Sequence, residues 1–206
     1  MFENFFPNIL KMASSKSPNS DEIVGSAIYL TFNKPQTDNC HRGILCTGPS
    51  TQNTPISGIL FHVENDTDPA ASKGVYTEYS RSGNWCFRER RSRNPAAVDS
   101  LFYVQKIGDI DLSLHDEVLD RIRKVLTDVP IGKENREAVL GKMGAGEGHP
   151  DLDGYDCVTW TTDALRGLDT TGIIRLGKDP ALFMTEARMS AWPGTVADLI
   201  ARLRGN

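Results

Sequence analysis

The stretch that decides how this chain folds reads Gly154-Tyr155-Asp156-Cys157-Val158-Thr159-Trp160-Thr161-Thr162-Asp163-Ala164-Leu165. Val158, Thr161, Leu165 and Leu168 recur at helical spacing, so 157–168 predicts a helix with one apolar face to seat on a sheet. Asp169 and Gly172 close it. Asp153 or Asp156 can cap its start, because a short carboxylate accepts the free N–H groups of a first turn. Cys157 opens the helix, where the aligned peptide dipoles favour a thiolate. The same free N–H groups can form an oxyanion hole. Asp156 opposes the thiolate unless its charge is spent on capping. The plainer reading makes Cys157 a small buried core residue.

Outward from this helix, Gly144-Ala145-Gly146-Glu147-Gly148-His149-Pro150 is a glycine-rich break. It lacks the lysine–hydroxyl pair of a phosphate loop and reads as a flap or plain loop. Before it, Leu114, Val118, Leu119, Ile122, Val125 and Leu126 predict a helix with Ser113 as N-cap and Val129-Pro130 as its stop. A second short helix is expected over 134–143, and a final one over 195–204. The N-terminal half is strand-like at 22–32, 43–46, 56–64, 74–80, 85–89 and 100–107, with turn chemistry between. Within 56–64, Leu60, His62 and Glu64 point to one face, and Ile59, Phe61 and Val63 to the other. These parts make an α+β fold: a mostly antiparallel sheet in the N-terminal half, packed against C-terminal helices. Residues 1–21 read as a flexible N-terminal extension, and 22–206 as a single domain.

Composition narrows the partners. With 39% hydrophobic and 24% charged residues among 206, the chain can bury a core and is not of disordered type. A formal charge of -4 gives no global pull toward nucleic acid or an anionic membrane. Trp85, Phe87, Arg88, Arg90, Arg91 and Arg93 form a local basic patch, interrupted by Glu89, that reads as a solvated hairpin edge. Nucleic acid is therefore not expected as a partner. The four cysteines, 40, 46, 86 and 157, show no disulfide framework, and reduced thiols in a cytoplasmic protein are expected. Cys40, His41, Cys46, His62 and Cys86 lack the paired spacing of a zinc site, and no metal or cofactor is expected. No run approaches the roughly 18 apolar residues of a membrane span. Residues 1–12 carry Glu3 and Pro7 without a basic start, unlike a secretory leader.

A nucleophilic cysteine needs a base, and the chain has four histidines. His41 follows Cys40 in a polar loop, His149 lies in the glycine-rich break, and His115 sits in the first turn of an amphipathic helix, where water reaches it. His62 is mid-strand, and a sheet residue can face the N-terminus of a packed helix with fixed geometry. Glu78 on the neighbouring strand is the first choice to orient its ring, with Glu64 second.

A strand with His62, further strands, an intervening helix and then Asp156-Cys157-Val158-Thr159-Trp160 resembles the circularly permuted branch of the papain-like fold. That branch includes the NlpC/P60-related and lecithin:retinol-acyltransferase-like proteins. In it the histidine precedes the cysteine, which begins a helix in an Asn-Cys-x-x-aromatic segment; here Asp156 stands at the asparagine position. More loosely, the chain is similar to uncharacterised fungal proteins with a Cys-x-x-Trp helix and a Gly-Ile-Ile tail, here Gly172-Ile173-Ile174. The resemblance spans about 22–174. It implies Cys157 as nucleophile, His62 as base and Glu78 as orienting residue, in a hydrolase or acyltransferase acting on an amide or ester of a small molecule or peptide. A non-enzymatic interaction domain on a degenerate papain-like scaffold, binding through Trp85, Phe87 and the arginines, is the alternative.

Overall fold

Alternating side chains build the sheet. The computed structural model describes residues 21–33, 41–50, 55–65, 77–98, 100–142 and 155–191. Six strands form one sheet: β1 (Ala27–Asn33), β2 (Arg42–Thr47), β3 (Gly58–Asn65), β4 (Thr77–Ser82), β5 (Trp85–Ser92) and β6 (Leu101–Asp109). Their order in space is β4-β5-β3-β2-β1-β6, with every pairing antiparallel. The consecutive strands β1, β2 and β3 lie side by side, and the consecutive pair β4 and β5 adds on the other side of β3, with β5 next to it. From β5 the chain then crosses the sheet, through a 3-10 turn at Pro95–Ala97, to add β6 beyond β1.

The helices α1 (His115–Thr127), α2 (Lys133–Lys142), α3 (Cys157–Thr170) and α4 (Pro180–Ala191) follow. The larger core lies between sheet and helices. Ile28, Leu30 and Phe32 of β1, Ile44 and Cys46 of β2, Phe61 and Val63 of β3 and Phe87 of β5 meet Ile122, Leu126, Trp160, Leu165 and Leu168 there. Trp160 is fully buried, its ring 5.2 Å from that of Phe87. The intervening strand residues supply a second apolar cluster on the far face: Ile23, Tyr29, Leu45, Leu101 and Val104, with Leu60 and Val98 half-buried. The central strands β1 and β2 are therefore buried on both faces. Such strands read as continuous apolar runs instead of a clean alternation.

The antiparallel N-terminal sheet and the C-terminal helices packed on it agree with the expectation from sequence. Ser113 does not cap α1. Asp111 accepts a hydrogen bond from the Ser113 N–H at 2.9 Å and opens a 3-10 turn, Leu112–Leu114, which runs into the helix. The helix α4 had no counterpart in the sequence reading. Its start is marked by Asp179, whose carboxylate accepts from Ala181 and Leu182 N–H at 2.8 and 3.2 Å, followed by Pro180 at the first helical position. Of the expected extension over 1–21, residues 1–20 lie outside the described residues, as do the 144–150 break and the 195–204 helix; Asp21 is held to β6, its N–H donating to the Val104 carbonyl at 2.9 Å and its carboxylate accepting from the Lys106 N–H at 2.6 Å. Among those described, no helix is long and apolar enough to cross a membrane.

Candidate functional site

The start of α3 is built by its cap. Asp156 is extended (φ -149°, ψ -174°), and its Oδ1 accepts from the N–H groups of Val158 and Thr159, each at 2.9 Å. The Thr159 hydroxyl adds a third bond at 3.1 Å. Asp156, one of the two candidate caps, thus caps the helix. This fixes Cys157 in the first turn, 8% exposed, within the core that holds Trp160.

Burial pushes the Cys157 thiol up, and the neighbouring Asp156 charge adds to it; the main-chain hydrogen bond and the charge of Arg42 pull the other way without cancelling it. The thiol is therefore the resting form at neutral pH. Arg42 itself is 3% exposed, with its guanidinium 4.9 Å over the Phe32 ring. Sequence reading did not single it out. The signal was present, because Arg42 falls in phase with Ile44 and Cys46 and so points to the helices.

His62 points the other way. Its strand neighbours Phe61 and Val63 pack beneath the helices, and its cross-strand partner in β5 is Arg88, next to the helix-facing Phe87. Period-two alternation then puts His62 on the far face, with the sheet between it and Cys157. There its Nδ1 lies 2.9 Å from Nε2 of His41, the two rings meeting edge to face with centroids 4.9 Å apart. One ring donates and the other accepts. Burial pushes the His62 imidazole well below its ordinary value, helped by the charges of His41, Arg88 and Arg90. Burial, with Arg42, likewise pushes His41 down to about 4. Both rings are neutral at physiological pH.

Glu78 shares that far face but is engaged elsewhere. It accepts from Arg81 Nε and Nη2 at 2.9 and 2.7 Å and from Arg88 Nη2 at 3.1 Å. Those bonds, Arg81's first, hold its carboxyl below the ordinary range. Arg88 also pairs with Glu64, so the guanidinium stands between His62 and Glu78 in the register. Glu64 is the carboxylate nearer His62, 4.0 Å from its Nδ1. The fold brings His62 and Glu78 to one surface and leaves Cys157 on the other. The partner that the sequence missed was His41, which reads as a loop residue until the register sets it beside His62.

The imagined zinc residues are likewise divided: Cys46 faces the helices, while Cys86 donates to the Glu64 carbonyl on the far face at 3.4 Å. Cys40 lies outside the described residues. Among those described, no three His, Cys, Asp or Glu side chains gather to hold a metal ion.

The basic patch is also split by the pleat. Phe87 is core, Trp85 packs on Tyr155 with ring centroids 5.1 Å apart, and Arg88 is buried. Arg90, Arg91 and Arg93 remain exposed at the end of β5. Among the described residues, β4 covers β5 only from Trp85 to Glu89, so Arg90, Arg91 and Arg93 lie beyond the residues that β4 pairs.

No family model, curated protein or solved structure matches this chain. The likeness to permuted papain-like proteins accordingly rests on the order of parts in the sequence.

Proposed function

We propose that this protein is a non-enzymatic binding domain on a degenerate papain-like scaffold, with Cys157 serving as a core residue. The observation that carries this reading is the sheet lying between the thiol and His62. A base must reach the proton that it removes, directly or through one water. A buried thiol with a raised pKa, lacking that base, is a poor nucleophile. The exposed arginines at the end of β5 offer a surface for binding.

The test is alkylation with iodoacetamide across pH, mapped residue by residue by mass spectrometry. Cys157 should react more slowly at pH 7 than an ordinary thiol with a pKa of about 8.5. Fast labelling of Cys157 near neutrality, together with turnover of an acyl substrate that Cys157→Ser abolishes, would reverse the assignment.

One observation favours a second reading, a cysteine-dependent hydrolase or acyltransferase with Cys157 as nucleophile. Arg42 brings a main-chain N–H and a positive charge to the sulfur, and both favour the thiolate. Such an enzyme would draw its base from a group other than His62, and the same labelling experiment decides between the two.

A further inference from the structure

At the other end of β2 from Arg42 and Cys157, the sheet and α1 diverge and leave a cavity of about 390 Å³. Its walls are Cys46, Ile59 and Leu119 on the apolar side, and Ser57, Ser92, Arg91, Arg93 and His115 on the polar side. No carboxylate lines it among the described residues. The size falls in the range of sites that enclose small molecules.

The polar wall is built from three basic side chains. Arg91 is anchored at Nε by the Glu89 carboxylate at 3.1 Å, while its side chain stays 77% exposed. One edge of its guanidinium is thereby fixed and the rest is presented outward. Arg93 is exposed and has no ion-pair partner among the described residues. His115, expected from sequence to be solvated, is only 16% exposed and leans back onto the Thr47 carbonyl, 3.3 Å from its Nε2. Gly48 also lines the cavity, and a Cβ there would come within 2.7 Å of Ser57 Oγ. A larger residue at position 48 would push Ser57 out of the wall.

We infer that this cavity binds a small organic anion. Its phosphate or carboxylate is held by Arg91 and Arg93, and its apolar body lies against Ile59 and Leu119. Guanidinium groups take such anions through paired hydrogen bonds, and two of them beside an apolar floor recognise both halves of such a molecule. Serine hydroxyls at 57 and 92 add donors that suit the same oxygens. The inference rests on the binding-domain reading only in giving that domain a ligand class. Alkylation reports on Cys157 and titration on the cavity, so each can fail alone.

The experiment titrates the full chain with phenyl phosphate, benzoate and benzyl alcohol, followed by calorimetry and by amide shifts at Gly48 and Gly58. Phenyl phosphate should saturate a single site and benzyl alcohol should not. Benzoate binding as tightly as phenyl phosphate identifies a general anion site, and weaker binding identifies a phosphate site. Arg93→Ser should weaken binding about tenfold, the size of one charge-assisted contact. Lys178→Ser, which removes a cation paired to Glu186 on α4, should leave it unchanged. Absence of saturation at about 10 mM, a range where even millimolar affinity is visible, overturns the inference. So does equal binding of benzyl alcohol, or an Arg93→Ser variant that binds as the parent does.

Discussion

The two histidines show what burial does to a titratable residue. His41 and His62 are hydrogen-bonded to each other and pushed down from the ordinary imidazole value, His41 to about 4. In the unfolded chain each has a pKa of about 6.5. Below that value the unfolded state binds protons that the folded state refuses, so the stability held by the neutral pair is complete above pH 6.5 and lost as pH falls toward 4. Glu64 does not rescue the charged form, because Arg88 takes its carboxylate. Between those limits the loss approaches about 1.4 kcal/mol per pH unit for each histidine. Urea midpoints from pH 7 to 4.5 should therefore fall steeply, and His41→Gln should flatten the slope. An equally steep slope in the variant would mean that other groups carry the acid sensitivity. The sequence showed that His62 and Phe61 face opposite ways, yet not which way the helices lie. That side was decided by Phe61, Val63 and Phe87 together outweighing the polar row His62, Glu64 and Arg88 as a surface for α3.

At the scale of the element, α3 is the part most fully legible beforehand: its apolar face, the capping carboxylate and Gly172 beyond its end are all local signals. Gly172 takes φ 70°, and the Ile173 N–H bonds back to the Leu168 carbonyl at 3.0 Å, the turn that glycine permits. The strands were legible as strands, though not in their order, since the crossing from β5 to β6 is decided by long-range pairing. The missed α4 illustrates a different failure. Asp179-Pro180 is a start signal, but the helix that follows buries Phe183, Met184 and Ala187 among exposed Leu182 and Met189, so its apolar stripe is blurred. The cap of α3 makes a separable prediction. Asp156→Ala should cost about 1 kcal/mol of stability by chemical denaturation, and Asp156→Asn clearly less. Both should lower the Cys157 thiol pKa, since both remove a charge that raises it. A thiol pKa unmoved by Asp156→Asn, measured by the pH dependence of alkylation, would place the whole shift in burial.

For the whole molecule, a polar tie between sheet and helix layer centres on Glu89. Its side chain is 1% exposed and accepts from Arg123 of α1 at 3.1 Å, from Arg91 at 3.1 Å and from the Tyr79 hydroxyl at 2.6 Å. Burial would push this carboxyl up, but the hydrogen bonds from Tyr79 and Arg123, with the charge of Arg123, reverse it, and it sits below the ordinary range. Its contribution is therefore fully present above the unfolded carboxylate value and is lost as pH falls from there through the lower folded value. Removing one partner of such a group strands the other charge in the core, whereas removing both leaves only apolar surface to pack. Arg123→Met alone should then cost about 2 kcal/mol, because Glu89 keeps only its bonds to Tyr79 and to the exposed Arg91. Glu89→Leu alone should cost less, since Arg123 is partly exposed and can turn to Asp120, 2.8 Å from its Nη1. The double variant should recover part of the Arg123→Met loss, giving a coupling energy of about 1 kcal/mol in a double-mutant cycle of urea midpoints. Strictly additive losses would show that the ion pair does not join the layers and that Phe87, Trp160 and their neighbours alone hold them. Glu89→Leu also frees Arg91 from its anchor, so it should weaken phenyl phosphate binding as well, an effect that Arg123→Met should not share.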